Sequence, residues 1–274
     1  MRPTLDWQQP LSAQRPLSVV QITDTHLFAE SSKALLGIPT AASFSAVTAA
    51  VRQHQQPDLI LVTGDISQDD SLASYQRFAD EMARFDCPVI CIAGNHDDPQ
   101  GMAASLAPLP HWQIRRVRLP GWQLLLLDSQ VEGHTYGLLS DAELDFVRAA
   151  VAAEPERRSM LLLHHPPVAV GCNWLDQHRL RNGDTLLTLA VELGVSTIVC
   201  GHVHQDFREN HHGVELLATP STCIQFLPRS AQFALDNRAP GYRTFALWPD
   251  GRWQSEIVRL EAGQFAPQMN STGY

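Results

Sequence analysis

Seven short apolar segments, each ending at a small, polar or metal-binding residue, constrain the fold of this 274-residue chain more than any other feature. They are rich in Val, Ile and Leu, and most of them are closed by Gly or Pro. Runs of this length and composition predict buried β-strands. The segments cover residues 17–23, 58–63, 88–93, 123–128, 159–165, 196–202 and 214–220.

Segments with apolar residues at helical spacing lie between the predicted strands. Ser140, followed by Glu143, is a capping-box signal at the start of one of them. Asp69-Asp70 are expected to cap another, and Gly194 is suited to end a third. Strands that alternate with helices indicate an α/β fold. The helical segments cover residues 42–54, 71–85, 141–154 and 184–193.

The C-terminal part predicts a β-hairpin instead. Residues 242–248 and 252–260 are strand-like, and the turn-forming sequence Pro-Asp-Gly separates them. No repeat, linker or low-complexity tract divides the chain. We therefore expect one domain over residues 15–262, with two sheets packed together and helices outside. Residues 1–14 and 263–274 are expected to be tails.

The amino-acid composition limits the classes of molecule that the chain is expected to bind. The chain has 20 Lys and Arg against 29 Asp and Glu, a net charge of −9, which disfavours binding to nucleic acid or to an anionic membrane. No apolar run approaches the ~20 residues of a membrane span, and the start lacks the apolar stretch of a signal peptide. Five cysteines without a C-x-x-C pair indicate reduced thiols and a cytoplasmic location.

Histidine and carboxylate residues follow five of the predicted strands directly. In open α/β sheets, ligands bind outside the carboxyl ends of strands, so we expect these residues to meet in one region. Oxygen and imidazole donors without a thiolate suit Mn, Fe or Zn rather than a structural zinc site. The blocks are Asp24-Thr25-His26, Gly64-Asp65, Gly94-Asn95-His96-Asp97, His164-His165 and Gly201-His202-Val203-His204.

Seven candidate ligands are too many for one catalytic ion that must keep an open position. They fit two ions if one carboxylate, most naturally Asp65, bridges them. Two ions ~3.5–4 Å apart can clamp the attacking and leaving oxygens of a phosphoryl group. The candidate ligands are Asp24, His26, Asp65, Asn95, His164, His202 and His204.

Each block alone has an ordinary explanation. A D-x-H or H-x-H sequence is common in loops and caps, and G-N-H-D alone is consistent with a turn. The occurrence of all five blocks, in order and each at a strand end, favours the metal site.

The order D-x-H, G-D, G-N-H-D, H and G-H-x-H over about residues 17–225 resembles the calcineurin-like metallophosphoesterase superfamily. Segments 164–184, 201–205 and 218–226 look like those of bacterial class III 3′,5′-cyclic AMP phosphodiesterases. The resemblance implies a β-sandwich of two mixed sheets flanked by helices, in four layers α/β/β/α. It also implies hydrolysis of 3′,5′-cyclic AMP to AMP by two divalent metal ions, Fe or Mn, with Zn as a further option.

The family pattern assigns roles to individual residues. It implies that Asp65 bridges the two ions and that His96 contacts the substrate phosphate. An imidazolium at that position would stabilise charge in the transition state and protonate the departing alkoxide, so we expect His96 to be the catalytic acid. The family pattern favours His164 over His165 as a ligand, and period-two strand geometry sends His165 to the opposite face. The implied ligands are Asp24, His26, Asp65 and His204 for one ion, and Asp65, Asn95, His164 and His202 for the other. The implied substrate-binding residues are His26, Asp65, Asn95, His96 and His204.

The sequence is also consistent with functions other than a cyclic AMP phosphodiesterase. A broader phosphodiesterase for glycerophosphodiesters or other small diesters is one, because the metal core is common to the superfamily. An inactive binding scaffold is another, although none of the ligand blocks is missing. A nuclease is disfavoured by the acidic composition.

The polar loop over residues 172–182 has two interpretations. Arg179, Arg181 and Asn182, with Trp174 and Leu175 just upstream, are candidates to cover a nucleotide base or phosphate. A solvated loop without a role in binding is the equal alternative.

Overall fold

The computed structural model describes residues 3–9, 11–12 and 15–273; residues 1, 2, 10, 13, 14 and 274, all in the predicted tails, lie outside the described residues. The strands in the described ranges are β1 (Thr4–Asp6), β2 (Leu17–Ile22), β3 (Ala34–Leu35), β4 (Ile38–Pro39), β5 (Leu59–Thr63), β6 (Val89–Ile92), β7 (Arg116–Leu119), β8 (Trp122–Leu126), β9 (Arg158–Leu162), β10 (Thr197–Cys200), β11 (Phe207–His211), β12 (Val214–Ala218), β13 (Gln225–Phe226), β14 (Leu235–Asp236), β15 (Gly241–Leu247) and β16 (Trp253–Arg259). The helices are α1 (Thr40–His54), α2 (Leu72–Met82), α3 (Pro99–Ser105), α4 (Asp141–Ala153) and α5 (Gly183–Glu192), and a 3-10 turn covers Asp176–His178.

Two large mixed sheets form the centre of the fold. One has the strand order β1-β7-β8-β9-β10-β12-β11, and the other has the order β16-β15-β2-β5-β6. Strands β2, β5 and β6 are parallel, as are β8, β9, β10 and β12. The antiparallel neighbours β15 and β7 make both sheets mixed. Each group of parallel strands therefore brings its carboxyl ends to one edge of its sheet.

Alternating residues of the central strands pack on opposite sides of each sheet. Val19 and Leu61 join Leu162 in the core between the two sheets. The neighbouring residues Val20 and Ile60 point the other way and pack with the helices α1, α2 and α3. This alternation is the period-two geometry of a strand that is buried on both faces.

Helices α4 and α5 cover the outer face of the seven-stranded sheet. Leu161 of β9 packs in one buried cluster with Val147 of α4 and Leu186 of α5. With α1–α3 on the outer face of the other sheet, the layers follow the order α/β/β/α. The predicted four-layer fold is confirmed.

Helix ends agree with the sequence patterns at two of three positions. The Ser140 side chain accepts a hydrogen bond from Glu143 N, and Gly194 has a positive φ of 65° just after α5. The prediction that Asp69-Asp70 cap α2 is wrong, because Ser71 is the N-cap and its Oγ accepts from the backbone of the first turn at 3.2 Å. Asp69 Oδ1 instead accepts from the Ser71 hydroxyl at 2.6 Å.

The C-terminal hairpin is confirmed as β15 and β16, with Gly251 at φ 85° in the turn. Residues outside the predicted 15–262 domain also contact the fold. Strand β1 pairs in parallel with β7, and Gln268 N donates to Leu36 O at 2.7 Å. The limits 15–262 stay a prediction, and both flanking segments contribute contacts to the folded unit.

Candidate metal centre

The seven candidate ligands lie just beyond strand ends from both sheets, where the two sheets face each other. At 0–7% exposure, six of them are buried, and Asn95 is half-buried. The strand ends predicted from the sequence thus bring all seven to one place. Asp24 and His26 follow β2, Asp65 follows β5, Asn95 follows β6, His164 follows β9, and His202 and His204 follow β10.

One group of ligand atoms comes from the residues after β2 and β10. The Nε2 atom of His204 lies 3.3 Å from Asp24 Oδ1 and 3.1 Å from His26 Nε2. These three side chains each offer one ligand atom within 4.8 Å of the others. Both carboxylate oxygens of Asp24 also accept from His202 N at 3.1 Å, which orients the carboxylate.

Asp65 lies between this group and a second one. Its Oδ2 atom is 3.8 Å from His26 Nε2 and 3.3 Å from His164 Nε2. The other oxygen accepts from His96 N at 2.9 Å. Asp65 is thus the carboxylate whose position suits a bridge between two ions.

Asn95 and His202 complete the second group. Asn95 Oδ1 lies 3.2 Å from His164 Nε2, and the His202 ring centroid is 5.1 Å from that of His164. Both ring nitrogens of His202 are buried without a hydrogen-bond partner among the described residues. Burial of an imidazole without a hydrogen-bond partner costs free energy, so a bound metal ion would account for these unpaired nitrogens.

Five of the ligand residues have left-handed backbone conformations, which non-glycine residues adopt rarely. The φ angles are 55° at Asp24, 44° at His26, 51° at Asp65, 68° at His202 and 50° at His204. Each such residue costs of the order of 1–3 kcal/mol and persists where the surroundings impose it. The backbone strain at these five positions indicates that the surrounding fold imposes the conformations that orient the ligand side chains.

Three of the imidazoles direct Nδ1 to a protein oxygen and Nε2 to the centre. Because a carbonyl oxygen accepts only from a protonated ring nitrogen, Nδ1 carries a proton, and Nε2 is the nitrogen with a lone pair when the ring is neutral. This is the tautomer that a metal ligand needs. The pairs are His26 Nδ1 with Gln68 Oε1 at 2.6 Å, His164 Nδ1 with Thr63 O at 2.7 Å, and His204 Nδ1 with Ile224 O at 3.0 Å.

The electrostatics of the site suit cations. Burial raises the pKa of Asp24 and of Asp65, but the neighbouring histidines outweigh it and both carboxyls stay ionised. Burial lowers the pKa of His26 to about 3, so this ring is neutral near pH 7. Burial and the charge of Asp65 raise the pKa of Asp97 to about 7. Burial lowers the pKa of His164 as well, but the charges of Asp65 and Asp24 outweigh it and raise this pKa to about 9. The ionised carboxylates thus face a ring that must lose its proton before it can bind a metal ion.

His96 and His165 border the centre in different ways. His96 is half-buried, and its ring centroid lies 5.1 Å from that of His26. The prediction that His165 lies on the opposite face is wrong, because β9 ends at Leu162 and strand alternation no longer applies. The His165 ring centroid is 4.8 Å from that of His164, and its Nδ1 lies 2.8 Å from Ser129 Oγ.

Asp97 is a structural residue of the site that the sequence did not identify. Its carboxylate accepts from Ile66 N and Ser67 N, both at 3.0 Å, and from Gly94 N at 2.9 Å. These backbone groups flank Asp65 and Asn95, so one side chain joins two ligand loops. The sequence feature that could have identified Asp97 is its position at the end of the G-N-H-D block.

Only part of the 172–182 loop reaches the site. Arg179 and Arg181 are exposed, and the Arg181 guanidinium lies over the Tyr136 ring at 4.5 Å. The Asn182 side chain binds the backbone of Leu139 at 2.8 and 3.0 Å, which is a structural contact. Trp174 and Leu175, in contrast, border a cavity together with Asn95, His96 and His202.

In the described part of the chain, no helix has the length and apolarity to cross a membrane. The five cysteines are all unpaired there.

Comparison with known proteins adds family information to this geometry. Residues 17–206 match the family model for calcineurin-like phosphoesterase. The 3′,5′-cyclic adenosine monophosphate phosphodiesterase CpdA of Escherichia coli (strain K12) is 45% identical over 268 residues, which cover 97% of this chain and 98% of that protein. A 3′,5′-cyclic-nucleotide phosphodiesterase of Nostoc sp. is 34% identical, with coverage of 91% of this chain and 95% of that protein.

Solved structures support the architecture alone, because their sequences are distant. A dimetal phosphatase from Danio rerio has a TM-score of 0.63 at 14% identity and covers 89% of this chain and 99% of its own. A purple acid phosphatase from yellow lupin has a TM-score of 0.64 at 12% identity, with coverage of 95% and 53%.

Proposed function

This chain belongs to the calcineurin-like phosphoesterase family, and we propose that it hydrolyses 3′,5′-cyclic AMP to AMP at a centre for two divalent metal ions. The observation that carries the proposal is the position of Asp65, whose Oδ2 lies 3.8 Å from His26 Nε2 in one group and 3.3 Å from His164 Nε2 in the other. Cyclic AMP as substrate is supported by relatives at 40–45% identity that are named as cyclic AMP phosphodiesterases.

We assign the ligands to two ions around this shared carboxylate. Asp24, His26, Asp65 and His204 would hold one ion, and Asp65, Asn95, His164 and His202 would hold the other. The protonated Nδ1 atoms and the unpaired ring nitrogens of His202 support the assignment. When bound, such ions activate water and stabilise negative charge on phosphoryl oxygens. The oxygen and imidazole donors favour Fe or Mn and also admit Zn.

His96 is the residue to which we assign proton transfer. Its backbone N–H is fixed on Asp65, while its half-buried ring can reach a substrate phosphate. The protonated ring donates to a phosphate oxygen and then transfers its proton to the departing 3′ oxygen. General acid catalysis of this kind is worth ~10²–10⁴-fold in rate.

An acidic cavity on one side of the centre supports a small substrate over a nucleic acid. This cavity of about 490 Å³ is lined by Asn95, Asp70, Asp98 and Glu132 among others. A polyanion that crossed the centre would place phosphates against these carboxylates at a Coulombic cost.

We place the reaction in the reducing cytoplasm, supported by the unpaired cysteines.

Metal analysis combined with a substrate panel tests the proposal. We expect two metal ions per chain, loss of activity on chelation, and recovery as two equivalents of Mn²⁺ load. Cyclic AMP should be turned over faster than 2′,3′-cyclic AMP and an aryl phosphodiester. Full activity of the metal-free protein, or saturation at one ion, contradicts the two-metal centre. Preference for the aryl diester contradicts the assigned substrate.

A further inference from the structure

An aromatic cavity adjoins the candidate metal centre and, among the described residues, has only Asn95 in common with the lining of the acidic one. It has a volume of about 390 Å³ and is lined in part by Asn95 and His202. Trp174, Leu175 and Phe233 line another part of it. Pockets that bind small molecules have volumes of about 300–1,000 Å³ and mostly apolar linings, so this cavity has the size for part of a nucleotide.

The aromatic side chains are held in a fixed position relative to the centre. The buried ring of Phe226 stacks on the ligand His204 with a centroid distance of 4.4 Å and an interplanar angle of 19°. Trp174 meets Phe226 edge to face at 4.8 Å, and Phe233 meets Trp174 at 5.0 Å. This contact series links a metal ligand to the cavity wall. Edge-to-face and stacked pairs of this kind are favourable in themselves, so the wall is preorganised.

The backbone that carries Trp174 is also fixed. The Asp176 carboxylate accepts from Val170 N at 2.7 Å and from Cys172 N at 3.1 Å. Leu175 is buried at 3% exposure, whereas Trp174 and Phe233 are half-buried and keep part of their surface available. The loop thus presents an aromatic face without having to be ordered by the ligand.

We infer that this cavity is the subsite for the purine base of the substrate, which stacks against Trp174 and Phe233 while the phosphate occupies the metal centre. The inference rests on the proposed function for the identity of the nucleotide. Stacking on aromatic side chains is the general way in which proteins hold an unpaired base. The acidic cavity offers no such face, since none of the described residues that line it is aromatic.

The test compares a ligand that has a base with one that has none. Trp174→Leu and Phe233→Leu are assayed as metal-loaded enzymes for KM with cyclic AMP, and for inhibition by AMP and by inorganic phosphate. Loss of a stacked base is worth ~1–3 kcal/mol, so KM and the AMP inhibition constant should rise about 5- to 140-fold. The phosphate inhibition constant should stay within twofold of wild type. Trp174→Phe should restore most of the AMP affinity, because it keeps a ring.

Trp253→Leu is the matched control, because it removes a partly buried tryptophan from β16, outside the cavity lining. It should leave both inhibition constants unchanged. Unchanged AMP inhibition in Trp174→Leu and Phe233→Leu overturns the inference. A parallel rise for phosphate also overturns it, since the variants would then act on the metal centre.

A binding measurement separates this inference from the proposed function. Titration of the metal-loaded protein with AMP should quench tryptophan fluorescence, and Trp174→Phe should remove most of that quenching. Equal quenching in both proteins overturns the subsite. If wild type fails to hydrolyse cyclic AMP yet shows the Trp174-dependent quenching, the substrate assignment fails and the base subsite stands.

Discussion

Replacement of Asp97 by Ala tests whether one carboxylate holds two ligand loops together. Asp97 is 4% exposed and accepts hydrogen bonds from three backbone N–H groups, those of Ile66, Ser67 and Gly94. The first two groups follow Asp65, and the third belongs to the glycine that begins the G-N-H-D turn. An alanine at position 97 leaves all three donors without this acceptor.

The size of the effect follows from the number of donors. Each buried polar group left without a partner costs ~1–3 kcal/mol, so we expect a loss of at least about 3 kcal/mol in the free energy of unfolding. Domains of 150–250 residues lose about 2–4 °C of Tm per kcal/mol, and the shift falls with size, so a 3 kcal/mol loss should lower the Tm of this 274-residue chain by about 6 °C. Metal affinity should fall by about 10–100-fold, as for other residues that support metal ligands.

The assay is urea and thermal unfolding of the metal-loaded protein, followed by circular dichroism, with metal content measured in parallel. Asp97→Asn keeps one acceptor oxygen and should lie between wild type and Asp97→Ala. Asp128→Ala is the matched control, because this exposed carboxylate also follows a strand and accepts from Gln130 N at 3.0 Å. If Asp97→Ala loses no more stability than Asp128→Ala, the proposed clamp between the loops is refuted.

Four further substitutions test the assignment of the ligands and of the acid, and the packing around Asp24. Asp65→Ala should lose both metal ions, whereas His204→Ala should retain one; two ions retained in Asp65→Ala would rule out the bridge. His96→Ala should lose ~10²–10⁴-fold in kcat with both ions bound, and less with a nitrophenyl diester; loss of a metal would make His96 a ligand. Gly201→Ala places a Cβ against Thr23 Oγ1 and 2.8 Å from Asp24 Oδ2, and should lower metal content at the ion assigned to Asp24, while wild-type content would contradict this packing.

The layers of the fold and the edge that carries the site could be predicted from the sequence, because both depend on local patterns. The apolar run over residues 17–23, for example, forms β2 over Leu17–Ile22, and Asp24 follows it as expected. Strands such as β7 and β13 were not predicted. Charged residues alternate with apolar ones in β7, and β13 has two residues, so their pairing depends on the neighbouring strand rather than on their own pattern.

Within the site, the residue types and their convergence were predictable, but their orientations were not. The proton on Nδ1 of His164 depends on Thr63 O, which is 101 positions away in the chain. The contact of His165 with Ser129 depends on the end of β9, and the role of Asp97 depends on donors from two loops. Such contacts between distant segments leave no periodic pattern in the sequence.

Because β15 pairs with β2, the sheet that carries the first two candidate ligands is completed late in synthesis. β2 leads to Asp24 and His26, and it lies between β5 and a strand that the ribosome makes after every candidate ligand. At ~5–20 residues per second, the interval between Asp24 and Leu247 is on the order of tens of seconds. Until then β2 lacks one of its two neighbouring strands, so the sheet that positions Asp24 and His26 is completed by the last hairpin to be synthesised.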